Sequence, residues 1–348
     1  MDLAVLGGRF LADRTAMNSN ESRAESADDF SAKLKKLYDR TIDEWYAAKH
    51  PRPGQDEVDF VNSLEVNTCP YCGSRDLKRN GHSSATGLAI RMCRACGRKF
   101  NPLNGTIFDS RKIPISEWFE FLTHLFQYHS IATSSADNRN ADSTGRYWLS
   151  KVFLALEDYQ DKTMLSGRVY IDETYVPVWS TRAVNPGDGK RNTGLSKSQI
   201  CIATAVDDSR CYLAVAGAGK PSISKTMRAY SGHIDPGSTL IHDGKNSHHA
   251  LVAALKLDEE VHTTRETRGL KDRDHPLARI NSVHRSLKLL LSRHPGFSRE
   301  QLQGWLNLFA FDQNSEGDPF AKAEALIAYA VKKRAKLRYR AWQNLQKT

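Results

Sequence analysis

Two periodicities divide the chain. Up to about residue 165 the apolar positions recur at helical spacing; from Gly167 onward they alternate with a period of two. In the first part, SAKLKKLYDRTIDEWYAAKH places Leu34, Leu37, Tyr38, Ile42, Trp45 and Tyr46 on one face of a helix over 31–50, stopped by Pro51, Pro53 and Gly54. A short helix is expected around Val58–Leu64. A stronger one follows Ser116, read as its N-cap, with Trp118, Phe119, Leu122, Leu125 and Phe126 as its apolar stripe. A short polar helix, a turn and a helix from about Ser143 to Tyr159 come next.

In the second part the alternation predicts strands at Val169–Val176, Gln199–Val206, Cys211–Ala216 and Thr239–Ile241, and another near Glu260–Thr263. The turn DDSR joins the second strand to the third. Helices are expected at Ser222–Tyr230, Asn246–Leu255 and about Leu277–Ser292. Three antiparallel strands followed by helix, strand, helix, strand, helix is the order of an α/β, ribonuclease H-like core, a mixed sheet flanked by helices.

Between the two helical stretches lies CPYCGSRDLKRNGHSSATGLAIRMCRACGRKF. Cys69 with Cys72 and Cys93 with Cys96 form two C-x-x-C knuckles separated by twenty residues. Four thiolates at this spacing suit a tetrahedral Zn²⁺ in a ribbon of short hairpins. With four protein ligands the metal has no open position, so its role is structural. Disulfides and an iron–sulfur cluster are the alternatives; disulfides are disfavoured where no export signal is read. His82 reads as a loop residue, and Cys201 and Cys211 as core thiols.

Charge sharpens this picture. The net charge is +10, but residues 69–100 alone carry net +6 and residues 331–348 net +7. The remainder is slightly acidic. Charge concentrated in two segments suits a polyanion such as nucleic acid. The tail AVKKRAKLRYRAWQNLQ is expected to help hold it. The helix–turn–helix pattern within 105–165 also fits a DNA-reading unit, and equally a small helical bundle. No run of 18 apolar residues occurs. Asp2 and the early Gly7, Gly8 and Arg9 do not make an export signal. The expected organisation is a disordered tail (1–30), a helical lead-in (31–64), the zinc ribbon (65–104), a helical region (105–165), the α/β core (166–315) and a basic C-terminal helix (316–348).

The chemistry centres on GRVYIDETYV. Asp172 and Glu173 interrupt an apolar strand, where an unpaired buried carboxylate is costly. An ion pair, a strand end or a metal ion would resolve this. By strand alternation Glu173 faces away from Asp172. Asp243 ends another strand, in IHDGKNSHH. In LARINSVHRSLKLLLSR, Asn281, His284 and Lys288 share one helix flank beside the buried stripe of Ile280, Val283, Leu287, Leu290 and Leu291.

Taken in order, CPYCGS…CRACGRKF, NGTIF…IPISEW, GRVYIDETYV, GLSKSQICIATAVD, IHDGKNSH and INSVHRSLKLLL…GFSREQLQGWLNLFAFDQN resemble bacterial insertion-sequence DDE transposases of the zinc-ribbon, ISXO-type group, over about 65–315. The resemblance implies a metal-dependent DNA transposase with two divalent ions, Mg²⁺ or Mn²⁺. It implies Asp172 and Asp243, 71 residues apart, as the first two ligands. The third position falls on His284, 41 residues further on, with Asn281 one turn earlier. A Glu is the usual third residue, so His284 is a departure. Lys288 would contact a phosphate. Arg268, Lys271, Arg273 and Arg279 in one loop, and Lys190 and Arg191 in another, would track the DNA backbone, with Arg182, Lys197 and Arg265 nearby. Double-stranded DNA, a homo-oligomer on that DNA and a place at the bacterial nucleoid in the cytoplasm complete what is implied. A non-catalytic DNA-binding regulator and a nuclease of the same fold are the alternatives.

Overall fold

The computed structural model describes residues 32–41, 54–109, 113–177 and 199–345. The chain divides into two units, Met1–Arg52 and Pro53–Thr348. In the first, a helix (α1) covers 32–41; the rest of the helix expected to residue 50, and the tail before it, lie outside the described residues.

The second unit opens with α2 (Gln55–Ser63) and a three-stranded antiparallel ribbon, β1 (Leu77–His82), β2 (Ala89–Cys93) and β3 (Lys99–Phe100). The helices α3 (Ile115–Phe126), α4 (Ile131–Asp137) and α5 (Asp142–Ala155) follow. Ser116 is not the N-cap of α3. The helix begins one residue earlier, at Ile115, with Pro114 in the cap position; proline's fixed φ suits an entry to a helix, and its missing N–H is no loss there. Ser130 caps α4 by accepting from the Thr133 N–H. α5 ends at Ala155 rather than Tyr159, and 156–162 continue as turns. α4 and α5 cross closely at Gly145, where a Cβ would come within 2.1 Å of Ser135 Oγ. Trp118 stacks on Trp148 at 4.3 Å, and Phe108 and Phe121 meet these rings edge-on.

Next come β4 (Arg168–Pro177), β5 (Gln199–Val206), β6 (Cys211–Ala218), α6 (Ile223–Tyr230), β7 (Thr239–His242), α7 (Asn246–Leu255), β8 (Asp258–Val261), α8 (Thr264–Thr267) and α9 (Ala278–Ser292). The sheet order is β6-β5-β4-β7-β8, with β5 antiparallel to β4 and β6, and β7 parallel to β4 and β8. A mixed sheet in this order, helices on both faces, is the ribonuclease H-like arrangement. β8 begins at Asp258, two residues before the expected strand, because its acidic start lies on an exposed sheet edge where alternation carries little signal.

Strand alternation sorts the core. Val169 and Ile171 of β4 pack with Tyr230 and Leu251 of α6 and α7. Tyr170 and Val176 join the opposite layer with Ile280, Leu287 and the helices of the first half. That layer also holds α10 (Leu302–Asn314) and α11 (Pro319–Ala330). The edge of β6 is closed by side-chain amides. Gln160 pairs with both backbone groups of Leu213, Gln303 accepts from Val215 N–H, and Asn314 pairs with both backbone groups of Cys211. Cys201 and Cys211 are buried, as expected of core thiols.

The C-terminal segment is not one basic helix. α11 ends at Ala330, and after a non-helical stretch α12 (Tyr339–Leu345) begins. Three of its charges have partners within the unit. Lys333 pairs with Asp158, Lys336 with Asp109, and Arg334 donates to Asn104 O (2.8 Å) and Thr68 O (3.4 Å). Leu326, Ile327 and Trp342 are buried. Tyr147 Oη donates to Leu337 O and Trp342 Nε1 to Ser150 Oγ, so the tail covers much of α5.

Candidate metal centres

The four ribbon cysteines converge. Cys69 Sγ lies 3.7 Å from Cys96 Sγ, and Cys72 Sγ lies 3.6 Å from Cys93 Sγ. Zn–S bonds of about 2.3 Å set tetrahedral sulfur–sulfur edges of about 3.8 Å, so the thiols fit a zinc ion. Each knuckle turns through a left-handed glycine: Gly73 N–H reaches Cys69 O, and Gly97 N–H reaches Cys93 O. The fit identifies a four-cysteine group able to hold a structural zinc.

The second centre follows from register. β4 and β7 pair in parallel, with Tyr170 opposite Ile241. Two residues on, Asp172 in β4 therefore stands beside Asp243, which follows directly on the end of β7. β7 stops at His242, so the chain after it turns across the overhanging end of β4. Lys245, immediately before α7, uses that gap. Its Nζ lies 2.8 Å from Asp172 Oδ1, 2.9 Å from Glu173 Oε2 and 3.0 Å from Asp243 Oδ2. Three ammonium protons thus meet three carboxylates. Asp172 and Glu173 do project to opposite faces of β4, but the edge-on lysine reaches both.

Electrostatics follows from this cluster. Burial alone would lower the Lys245 pKa; Asp172 and Glu173 outweigh it and hold the ammonium well above its ordinary range. Burial would raise the Asp243 carboxyl, but His248 and Lys245 hold it far below the usual range. The same two neighbours keep Glu173 low. His248, its side chain fully buried, sets Nε2 2.9 Å from Glu173 Oε1 and Nδ1 3.4 Å from Asp243 Oδ1. Burial opposes its protonation, yet Asp243 and Glu173 raise its pKa overall.

α9 supplies the opposite wall. A cleft of about 500 Å³ is lined by Asp172, Glu173, Asn281, His284, Arg285 and Lys288, among others. His284 is the deepest of the helix residues. Its Nδ1 is 3.9 Å from Asp172 Oδ2, its Nε2 is buried without a hydrogen-bond partner, and burial lowers its pKa to about 4. The imidazole is therefore neutral and has a lone pair to offer. Carboxylate oxygens within reach of one cation, beside a neutral imidazole and an amide, fit Mg²⁺ or Mn²⁺.

Among the expected DNA contacts, Arg268, Lys271 and Arg273 are found on the segment leading into α9 and Arg279 in its first turn; Arg279 pairs with Asp208 at 3.2 Å and Arg273 with Asp274 at 3.5 Å. Lys190 and Arg191 lie outside the described residues. Reasoning from sequence missed Lys245 and His248. The available signal was the pair of basic side chains two and five residues after Asp243, in DGKNSHH.

No protein-family model matches the chain, and no curated protein sequence is significantly similar to it. Among solved structures, the chain is similar to a pre-cleavage Mos1 transpososome (12% identity, 60% of this chain and 75% of that chain, TM-score 0.26). It is also similar to the Mos1 mariner paired end complex with Mn (15% identity, 55% and 62%, TM-score 0.28) and to the Mos1 strand transfer complex (14% identity, 94% and 82%, TM-score 0.28). Overlaps this low assign no function to the chain. Among the described residues no helix is long and apolar enough to cross a membrane.

Proposed function

We propose that the chain is a metal-dependent DNA transposase of the zinc-ribbon insertion-sequence type, acting on double-stranded DNA as a homo-oligomer. The observation that carries this reading is the convergence of Asp172 in β4 and Asp243, just past the end of β7, on one lysine, with Asp172 lining a cleft walled by Asn281, His284 and Lys288. Asp172 and Asp243, with His284 or Asn281, would hold the divalent ions. When bound, such ions supply Lewis-acid activation of the attacking oxygen and charge stabilisation of the leaving one.

The chain's own residues have separate tasks. Lys288 is exposed on the cleft wall and would meet a phosphate. Arg268, Lys271 and Arg273 precede the same helix, and with Lys190 and Arg191 they would follow the backbone of the duplex. The ribbon, with Arg75, Lys78, Arg79 and its neighbours, adds a second basic surface. In the reaction, water attacks phosphorus and the 3′ oxygen leaves as a free 3′-OH. That hydroxyl then attacks a target phosphodiester, joining one bond as another breaks and releasing a new 3′-OH.

The test is cleavage and joining of duplexes ending in the sequences that flank the gene, with Mg²⁺ and with Mn²⁺. Asp172→Asn and Asp243→Asn should each abolish both products while DNA retention persists. Undiminished product in either variant would refute the assignment. Cleavage without joining would identify a nuclease of the same fold. One observation favours a second reading, a non-catalytic DNA-binding protein: a single side chain, Lys245, pairs all three carboxylates, as in a structural ion cluster. That reading requires DNA binding with no cleavage in either metal.

A further inference from the structure

We propose that His248 is a metal ligand alongside Asp243, with Glu173 as the carboxylate that orients it. This rests on the reading that Asp243 holds a divalent ion, and it adds a donor from α7 that the strand and α9 residues do not supply.

Three observations carry it. First, His248 Nε2 lies 2.9 Å from Glu173 Oε1, with both side chains almost wholly buried. A carboxylate can only accept, so the Nε2 proton is fixed on that side, and in the neutral imidazole that a cation would bind the lone pair is on Nδ1. Second, Nδ1 is buried with no hydrogen-bond partner. Third, it points at Asp243 Oδ1 from 3.4 Å, longer than the roughly 2.7–2.9 Å of a charge-assisted hydrogen bond. Two ligand atoms each about 2.1 Å from one ion stand about 3.0–3.4 Å apart, so the spacing suits an ion better than a shared proton. A buried imidazole whose far nitrogen donates to a carboxylate is the arrangement that orients and strengthens histidine ligands.

The neighbouring His242 does not compete for this role. Its Nδ1 accepts from Gly244 N–H at 3.0 Å, and its Nε2 meets Glu259 Oε1 at 2.9 Å, so both nitrogens are engaged. The carboxylate cluster then has two imidazole partners, His284 beside Asp172 and His248 beside Asp243. A nitrogen donor on the Asp243 side favours Mn²⁺ over Mg²⁺, which prefers oxygen.

The experiment uses the full zinc-loaded chain and Mn²⁺ alone, with electron spin-echo modulation to detect directly bound nitrogen and titration to measure affinity. His284→Gln combined with His129→Gln and His249→Gln serves as the background, which removes the α9 imidazole and breaks the other two histidine clusters able to hold a metal ion among the described residues. The nitrogen signal should persist in that background and vanish on adding His248→Gln, with affinity falling roughly tenfold or more. Glu173→Gln should keep the nitrogen signal and weaken binding about tenfold. Circular dichroism and thermal melting confirm that each variant folds. Bound Mn²⁺ that Asp243→Asn weakens, but whose nitrogen signal is absent in that background or survives the addition of His248→Gln, overturns the role of His248 and leaves the carboxylate site standing. Affinity unchanged by Asp243→Asn overturns both.

Discussion

Lys245→Met is the most informative perturbation of the carboxylate cluster. Methionine keeps most of the aliphatic stem and removes the charge. Asp172, Glu173 and Asp243 then face one another without the ammonium now 2.8–3.0 Å from each. Breaking a buried ion pair by removing one partner costs about 3–5 kcal/mol. The Lys245 side chain is 30% exposed, so solvent screening places the loss near the lower end, about 3 kcal/mol. For a unit of about 300 residues the unfolding entropy is about 0.6 kcal/mol/K, so the melting temperature should fall by about 5 °C in divalent-free buffer with zinc retained. Mn²⁺ should reverse the order. A +2 ion and an ammonium about 3 Å apart repel by on the order of 10 kcal/mol at an effective dielectric constant of about 20. An ion on Asp172 and Asp243 therefore requires Lys245 to swing away, and the variant, freed of that competition, should bind Mn²⁺ at least about tenfold more tightly. Differential scanning calorimetry and titration calorimetry measure both effects. A variant as stable as the parent without divalent metal, and stabilised no more than the parent by Mn²⁺, would refute the reasoning.

Replacing Cys93 and Cys96 together by serine should release the zinc and lose the ribbon's protection against proteolysis; zinc retained at one equivalent per chain would move the site elsewhere. Trp342→Ala should destabilise the unit by about 3–5 kcal/mol, since the buried indole packs against Tyr147 and donates to Ser150; chemical denaturation checks it, and an unchanged midpoint would show that the tail does not support the helical layer. His294, buried against Trp305, has a pKa lowered by burial to about 4. Its unfolded value is about 6.5, so the unfolded chain binds the extra proton. Its contribution is complete above about pH 6.5 and is lost as pH falls toward about 4, by at most about 3 kcal/mol. His294→Phe should flatten stability over that window, and an unchanged pH profile would contradict the assignment.

Local spacing carried a large part of this protein. The two C-x-x-C-G turns specify the ribbon because each knuckle is closed by backbone bonds within five residues. Alternation located β4 to β7 because one face of each strand packs on a different helical layer, and it placed Glu173 on the face opposite Asp172. It failed at β8, an edge strand with no such contrast, and it could not foresee the break between α11 and α12. The remaining features were settled by contacts between distant segments. The register of β4 on β7 brings Asp172 level with Asp243. The early end of β7 lets one lysine reach both faces of its neighbour. Glu173 and His248 meet only because α7 packs on that face of the sheet. Folding also sets Lys333, Arg334 and Lys336 of the basic tail against partners in the first half of the chain. Periodicity reports which face of an element is buried. It does not report which element lies opposite, because that is decided by sheet order and register, through side chains far apart in sequence.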